Sequence, residues 1–381
     1  MTGERTRRAA LAVAILAAVV ALAYGRAPGG AFVFDDHALV EENPLVRESP
    51  ARVGTLFGRD GEAAGWAYRP VRVLSYRVDH LLAGGLDPRV FHLSNVLWHL
   101  ATTIALFFLA RATIGSDAAA LVAAALFAVH PLGSEAVAYV SGRRDLVCAF
   151  FGLLALGAWW RRISRPGSGI PALVLAASFG LLALGAKETA LVLPVLAWLM
   201  TFLAPPGVPA RLPRRAGGAA ALLAAGALLA TAALYRERIG PVVARAASSP
   251  LARQPALTLR VVGRYLRLAV FPDDLQADYR TGAFELPHDA LEARTIAAGL
   301  AVSGVAALGT ILLRRGAVAG LGLLWFLVAL APVAARALRR GGRRAQRLPS
   351  AGGAGTRRGR RLRATAARVR PTRSRRGRPR G

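Results

Sequence analysis

The sequence is poor in cysteine, in charged residues and in nucleotide-binding motifs. Its single cysteine, Cys148, excludes an intrachain disulfide. Charged residues make up 19% of the 381 residues, against about 25% in soluble domains. The sequence has no P-loop, no G-x-G-x-x-G turn, no G-x-S-x-G elbow and no zinc-ligand spacing. Their absence argues against a nucleotide-driven pump and against a soluble-type hydrolase.

Long apolar runs occupy much of the chain instead. Hydrophobic residues make up 54% of the sequence, and runs of about 17–25 residues can each cross a bilayer as a helix. They predict an all-α polytopic membrane protein with about nine spans. The predicted spans are residues 9–24, 90–110, 117–129, 146–160, 170–186, 189–203, 216–235, 295–313 and 317–334. The first run also fits a cleaved signal peptide, but its continuation to Tyr24 favours an uncleaved span.

Charge in the loops predicts the orientation. Basic residues fill the short loops on one side, which by the positive-inside rule is the cytoplasmic side, together with the N-terminus. Acidic residues segregate to the other side, with the first loop (residues 26–90) and a second large loop (residues 236–294). The basic residues are Arg111, Arg161, Arg162, Arg165, Arg211, Arg214, Arg215, Arg314 and Arg315. The acidic ones are Asp35, Asp36, Glu41, Glu42, Glu135, Asp145, Glu188, Asp273, Asp274 and Asp278.

The formal charge of +29 is concentrated in the C-terminal tail. Residues 336–381 hold 18 arginines and no acidic residue, a composition that predicts disorder. We therefore divide the chain into a membrane domain, residues 1–335, and this tail. The tail fits an arm that binds nucleic acid or acidic lipid, but its abrupt loss of pattern favours an out-of-frame translation of GC-rich DNA. Translation of the other two frames without apolar spans would rule out that hypothesis.

Asp35 and Asp36 follow the first span and open a long polar segment. A carboxylate at a membrane exit can accept a proton from a hydroxyl nucleophile, or bind a metal together with a second carboxylate. Adjacent residues of an extended segment point to opposite sides, so one Asp can face substrate while the other supports structure. The alternative is that the pair caps the helical segment beginning at His37.

Two charged segments that interrupt the apolar pattern contain further candidate functional residues. Arg143 and Arg144 end the segment 130–145 just before a span, where arginine suits bidentate phosphate binding; the alternative is anchoring to lipid headgroups. Lys187 and Glu188 separate two apolar runs without a loop. Ionisable groups at membrane depth are candidates for function, and the alternative is a tight turn whose charges neutralise each other.

Weaker signals come from the starts of other segments. His92, Asn95 and His99 share one helix face at the external end of the second span and can line a cavity. A metal site there is disfavoured because no carboxylate partner is assigned. Polar–aromatic clusters surround Arg69 and extend over residues 271–279. Residues 257–271 are amphipathic, which predicts either a helix on the outer membrane surface or a packed helix of an external cap.

Six motifs in order resemble the transmembrane and tetratricopeptide-repeat family of O-mannosyltransferases, within the glycosyltransferase C-type superfamily. The resemblance covers about residues 32–334, nearly all of the membrane part. The motifs are FVFDD with a downstream Asn43-Pro44, YRPVRVLSY from Tyr68, FHLSNVLWH from Phe91, FAVHPLGSEAVAYVSGRRDL from Phe127, LGAKETALVLP from Leu184 and YLRLAVFPDDLQADY from Tyr265.

The resemblance implies a polyprenyl-phosphate sugar donor, expected to carry mannose, and transfer to a Ser/Thr hydroxyl of a protein outside the cytoplasm. It gives Asp35 or Asp36 the role of base, with a slight preference for Asp36, and gives Arg143, Arg144 and Lys187 the donor phosphate. The remaining matched or neighbouring positions are expected to line the substrate cavity: Arg69, His92, Asn95, His99, His130, Glu135, Glu188 and Tyr279. It implies no certain cofactor, leaves a divalent metal open, and predicts a bacterial inner-membrane protein with no nucleic-acid partner.

The chain departs from the family at its C-terminal end. The family continues with further spans and 34-residue tetratricopeptide repeats, whereas here the arginine-rich tail follows and no such period is present. Two alternatives therefore stay open: an inactive truncated membrane scaffold, and a transporter or flippase of a lipid-linked sugar. The large first external loop favours the enzyme, because a transporter seldom needs about sixty polar residues between its first two spans.

Overall fold

The structure is a computed structural model that describes residues 2–47, 69–165, 167–203, 226, 254–275 and 292–345. Those residues form helices and connecting turns, with no strand among them. The helices are α1 (Thr2–Tyr24), α2 (Pro44–Arg47), α3 (Pro70–Ala83), α4 (Pro88–Ile114), α5 (Asp117–Val129), α6 (Ser134–Ala138), α7 (Arg143–Ser164), α8 (Gly169–Ala186), α9 (Leu193–Met200), α10 (Gln254–Val270), α11 (Ala293–Arg314) and α12 (Val318–Ala345). The tail beyond Ala345 lies outside the described residues.

Five described helices are long and apolar enough to cross a membrane, which agrees with an all-α polytopic protein. They cover Gly3–Gly29, Pro88–Ile114, Val140–Ser164, Gly169–Ala186 and Ala293–Arg314. The pair Asp117–Val129 and Pro131–Ala138, bent by 54°, makes a sixth if it is one span.

The nine predicted spans are not confirmed. The expected sixth span corresponds to a shorter apolar helix, Glu188–Met200. At about 1.5 Å per residue, this helix does not reach the roughly 30 Å of a hydrocarbon core. The expected ninth span lies in the 28-residue helix α12, whose apolar part covers Val318–Ala331. The expected seventh span, residues 216–235, falls outside the described residues apart from Gly226.

Small residues and tryptophans determine how the spans pack. Ala12 and Leu16 of α1 are buried against Phe107 of α4 and Ala120 and Ala124 of α5, so the first apolar run is an integral part of the bundle. Near the same end of α4, the indole N–H groups of Trp159 and Trp160 donate to the backbone carbonyls of Ala197 and Ala112, at 2.7 Å and 3.1 Å. These bonds hold α7 against α9 and α4.

The polar interruptions meet at one end of the bundle. Asp36 bonds Ser141, just before α7, and Arg69 pairs with Glu188, just after α8. His130 Nε2 donates to the Ala269 carbonyl of α10 at 3.1 Å. The first loop, the 130–142 break and the 187–188 break therefore share one end, which the loop-charge pattern had predicted.

The amphipathic helix α10 is a packed helix. Its Arg260 Nε donates to Thr295 Oγ1 of α11 at 2.9 Å, and Leu257, Val261 and Leu268 are buried. Gly263 approaches Ala298 so closely that an added Cβ would lie 2.7 Å from the Ala298 Cβ. Of the two interpretations of residues 257–271, the structure agrees with the packed helix.

Candidate functional site

Asp36 is buried and fully occupied by protein groups. Its side chain is inaccessible to solvent. Oδ1 accepts from the Ser141 backbone N–H at 2.8 Å and from the Ser141 hydroxyl at 2.6 Å, and Oδ2 accepts from the Val33 N–H at 3.1 Å. Three such bonds satisfy a carboxylate and fix its rotamer. Asp36 therefore locks the first external loop onto the segment that precedes α7.

Asp35 lies in a different environment. It is half-buried, and only its backbone N–H is bonded, donating to the Tyr139 hydroxyl at 3.0 Å. Its carboxylate has no hydrogen bond or ion pair among the described residues. The preceding Phe34 has φ of +51°, which costs a non-glycine residue strain. Its exposed ring meets the Tyr139 ring edge-on, with 6.4 Å between centroids.

The Arg143 guanidinium is fully paired within a buried polar network. It has no exposed side-chain surface and pairs with Asp79 of α3. Its Nε donates to Asn95 Oδ1 at 2.7 Å and its NH2 to the Phe91 carbonyl at 2.6 Å, while the guanidinium lies 4.7 Å from the Tyr76 ring centre. Every face of this cation already has a partner, so the geometry gives it a structural position between α3, α4 and α7.

Asn95 and the histidines bind backbone rather than face a cavity. The Asn95 Nδ2 donates to the Tyr139 and Val137 carbonyls at 2.9 Å and 3.2 Å. His92 Nε2 donates to Ala31 O at 3.2 Å, and His99 Nε2 to Ala128 O at 2.9 Å. The predicted shared helix face is correct, and its side chains fasten the first loop and the 130–142 break to α4.

Arg144 and Lys187 belong to a second cluster, built from the N-terminal turns of α3 and α7 and the end of α8. Lys187, 8% exposed, pairs with Asp145, and Arg144 Nε lies 3.5 Å from the same carboxylate. Arg69, at the N-cap of α3, forms a forked pair with Glu188 at 2.9–3.2 Å. Glu135 is exposed in α6, and Tyr279 lies outside the described residues.

Arg72 of α3 is the member of this cluster that the motif analysis did not single out. It is 2% exposed, and its buried Nε has no hydrogen-bond partner. Burial lowers the pKa of both Arg69 and Arg72 to about 10, and the charge of Arg144 adds to the lowering. Both guanidiniums stay charged at neutral pH. The negative charge of Asp35 raises the pKa of Arg72, which links this cluster to the aspartate pair.

The described residues contain no group of three His, Cys, Asp or Glu side chains that could hold a metal ion. They do contain an open cavity of about 310 Å³ between α3 and α4, lined mainly by Val78, Leu82, Leu97 and Trp98 around Asp79. None of the predicted site residues lines this cavity. The candidate site is therefore the junction of the first loop with the second cluster.

Three curated relatives show what the chain is similar to. It is 36% identical over 166 residues to mouse "Protein O-mannosyl-transferase TMTC1", covering 42% of this chain and 18% of the relative. It is 34% identical over 162 residues to human "Protein O-mannosyl-transferase TMTC4", covering 37% and 22%. It is 38% identical over 175 residues to "Protein O-mannosyl-transferase Tmtc2" of Drosophila melanogaster, covering 43% and 18%.

The chain is therefore similar to TMTC protein O-mannosyl-transferases over 37–43% of its length. This agrees with the resemblance to that family, over a shorter stretch than residues 32–334. The chain spans about a fifth of the length of the relatives it matches. No family model matches it, and no solved structure matches it.

Two site residues that the sequence analysis did not single out, Arg72 and Ser141, stand within the sequence motifs. Arg72 stands in the same YRPVRVLSY motif as Arg69, and Ser141 stands two residues before Arg143 in the motif that begins at Phe127. The rotation of α7 about its axis decides whether Arg143 or Arg144 faces the interior of the bundle. Two adjacent arginines in a sequence do not reveal this rotation. Asp79 was missed because one acidic residue in a polar loop carries no periodic signal.

Proposed function

We propose that the chain is the membrane part of a glycosyltransferase that moves a sugar, mannose by similarity, from a polyprenyl-phosphate donor to a protein Ser/Thr hydroxyl. The similarity to protein O-mannosyl-transferases supports the reaction class. The observation that carries the proposal is a half-buried carboxylate, Asp35, without a hydrogen bond or ion pair among the described residues, at the end of the bundle that also holds the second cluster. The segregation of acidic loops to this end supports the non-cytoplasmic side.

The proposed chemistry needs a base and a cationic surface. The Asp35 carboxylate takes the proton of the acceptor hydroxyl, and the hydroxyl oxygen forms a bond to the anomeric carbon of the sugar. The bond between that carbon and the phosphate oxygen breaks, and its electron pair leaves on the phosphate. Cations fixed around the phosphate stabilise the charge that develops there.

Asp35, rather than Asp36, fits the base. A base must present a free oxygen to the proton that it accepts, and the Asp36 oxygens already accept three hydrogen bonds. We therefore assign Asp35 the proton transfer and Asp36 the positioning of the loop. This reverses the slight preference for Asp36 that the sequence alone supported.

The donor phosphate is assigned to the second cluster. Arg144 and Lys187 keep the role expected from the sequence, and Arg69 joins them from α3. Arg143 is left out of this role because its guanidinium is enclosed by Asp79, Asn95 and the Phe91 carbonyl.

A donor panel tests the function. Membranes containing the full chain are incubated with radiolabelled sugars on polyprenyl phosphate, and label in protein is measured after β-elimination, which releases Ser/Thr-linked sugars. We expect label from polyprenyl-phosphate mannose and none from a nucleotide sugar. Movement of the labelled donor across sealed vesicles without any label in protein would contradict the transferase and favour the flippase alternative.

A further inference from the structure

Arg72 is a buried cation whose Nε has no hydrogen-bond partner among the described residues. Its side chain is 2% exposed, and its Nε is buried without a hydrogen bond. Arg143, Arg69 and Lys187 each pair with a carboxylate: Asp79, Glu188 and Asp145 respectively. An uncompensated buried charge destabilises a fold, so such a residue is retained for a reason other than stability.

The surroundings of Arg72 favour an anion. Arg72 stands in the first turn of α3, where the helix dipole adds positive potential. Arg69 and Arg144 are close enough to lower its pKa. Four cationic side chains in this cluster, Arg69, Arg72, Arg144 and Lys187, face three carboxylates, Asp35, Asp145 and Glu188. These seven groups carry one net positive charge when Asp35 is ionised; the Asp36 carboxylate, which bonds Ser141 and Val33, is not one of them.

The chemistry of the guanidinium group favours a phosphate as the anion that Arg72 binds. Arginine presents a planar fork of N–H donors that matches two oxygens of a phosphate, and it is more weakly hydrated than an ammonium group. A lipid-linked sugar donor carries one negative charge on its phosphodiester. The prenyl monophosphate that leaves carries up to two, so a fixed guanidinium binds the leaving group more strongly than the intact donor.

We propose that Arg72 binds the phosphate of the prenyl-phosphate donor and distinguishes charged prenyl lipids from uncharged ones. This inference rests on the proposed function and adds to it the residue that supplies the missing countercharge. A bound lipid phosphate would compensate the buried charge of Arg72. Binding of prenyl phosphate therefore stabilises the folded protein through Arg72.

The test measures the thermal unfolding midpoint of the full chain in lipid nanodiscs. The added ligands are undecaprenyl monophosphate, undecaprenol and inorganic phosphate at equal concentration. In the wild type we expect a rise with undecaprenyl monophosphate alone. Arg72→Gln should weaken the apparent affinity at least about ten-fold, as loss of a charged hydrogen-bonding partner does, and should raise the midpoint of the ligand-free protein.

Two further variants separate binding from folding. Arg111→Gln is the matched control, because Arg111 pairs with Asp117 at the opposite end of the bundle; it should keep the full response to undecaprenyl monophosphate. Arg72→Lys keeps the charge but loses the planar fork, so it should keep a reduced response. If Arg72→Gln does not accumulate in membranes, the response of Arg72→Lys to undecaprenyl monophosphate tests the inference in its place.

Three results would overturn the inference: a wild-type response in Arg72→Gln, an equal response to undecaprenol, or an equal response to inorganic phosphate. Each is independent of sugar transfer. A protein that transfers mannose while Arg72→Gln keeps its response would refute this inference alone. Arg72-dependent binding without sugar transfer would refute only the transferase.

Discussion

Arg143 and Arg144 are neighbours in the sequence but belong to two different polar clusters. Arg143 lies in a closed cluster with Asp79 and Asn95, where its guanidinium has partners on every side. Arg144 lies in the second cluster with Arg72 and Lys187, where cations outnumber the carboxylates that pair with them. A buried network that is fully satisfied makes a fold rigid, whereas an unpaired buried polar group destabilises it. This difference supports the proposal that the first cluster is structural and that the second binds substrate.

Breaking the closed cluster should have the largest effect on stability. Arg143→Gln leaves Asp79 buried without its cation, and removal of one partner of a buried pair costs about 3–5 kcal/mol. Urea or thermal unfolding in detergent micelles should show this loss. Arg144→Gln is the control, and we expect it to stay within about 1 kcal/mol of the wild type because its partner Asp145 is half-exposed. Equal losses in both variants would remove the distinction between the clusters.

The second largest effect on stability should come from weakening the attachment of the first loop. Ser141→Ala removes the hydroxyl that donates to Asp36 at 2.6 Å and should lower the free energy of unfolding by about 1–3 kcal/mol. The Ser141 N–H still reaches the carboxylate, so the loop stays in place and sugar transfer should fall by less than in Asp36→Asn. A larger loss of transfer in Ser141→Ala than in Asp36→Asn would show that the hydroxyl, not the carboxylate, acts on substrate.

These clusters show how far the sequence could predict the site. The interruptions at 130–145 and 187–188 were predicted to share one end of the bundle, and the contacts of Asp36 with Ser141 and of Arg69 with Glu188 confirm it. Loop charge and apolar length are properties of segments, so they can be counted without coordinates. The roles of adjacent residues, such as Arg143 and Arg144, depend on helix rotation and on partners far away in the chain, such as Asp79.

The number of spans shows the same limit. Residues 189–203 form an apolar run of nearly spanning length, but the structure gives a short 3₁₀ segment followed by α9. Pro194 follows the start of α9 closely, and proline is tolerated in the first turn of a helix rather than in its interior. Apolar length alone cannot distinguish a short buried helix from a full span.

Removing a negative charge from the second cluster should change donor binding more than stability. Glu188→Gln frees Arg69 from its forked pair and adds one positive charge to the site. We expect the affinity for undecaprenyl monophosphate to rise by up to about five-fold. A partly exposed ion pair is worth about 1 kcal/mol or less, and about 1.4 kcal/mol corresponds to a factor of ten in affinity. The increase should shrink as salt is added. An unchanged affinity at low salt would place Arg69 outside the phosphate site.

The smallest expected effect concerns the strained turn beside Asp35. Phe34→Asn places a residue that tolerates positive φ where phenylalanine has φ of +51°. We expect the free energy of unfolding to rise by up to about 1 kcal/mol, because the ring is 75% exposed and loses little packing. Guanidinium unfolding curves would measure it. A loss of more than 1 kcal/mol would show that the contact with Tyr139 outweighs the strain.

The measurement that tests the account most directly is sugar transfer by Asp35→Asn, compared with its stability. The amide has almost the same shape as the carboxylate but cannot accept the proton, so transfer from polyprenyl-phosphate mannose should fall at least about 100-fold. The unfolding midpoint should fall only slightly, because the Asp35 carboxylate makes no hydrogen bond or ion pair among the described residues and acts on Arg72 only through space. Transfer at the wild-type rate in Asp35→Asn would contradict the account.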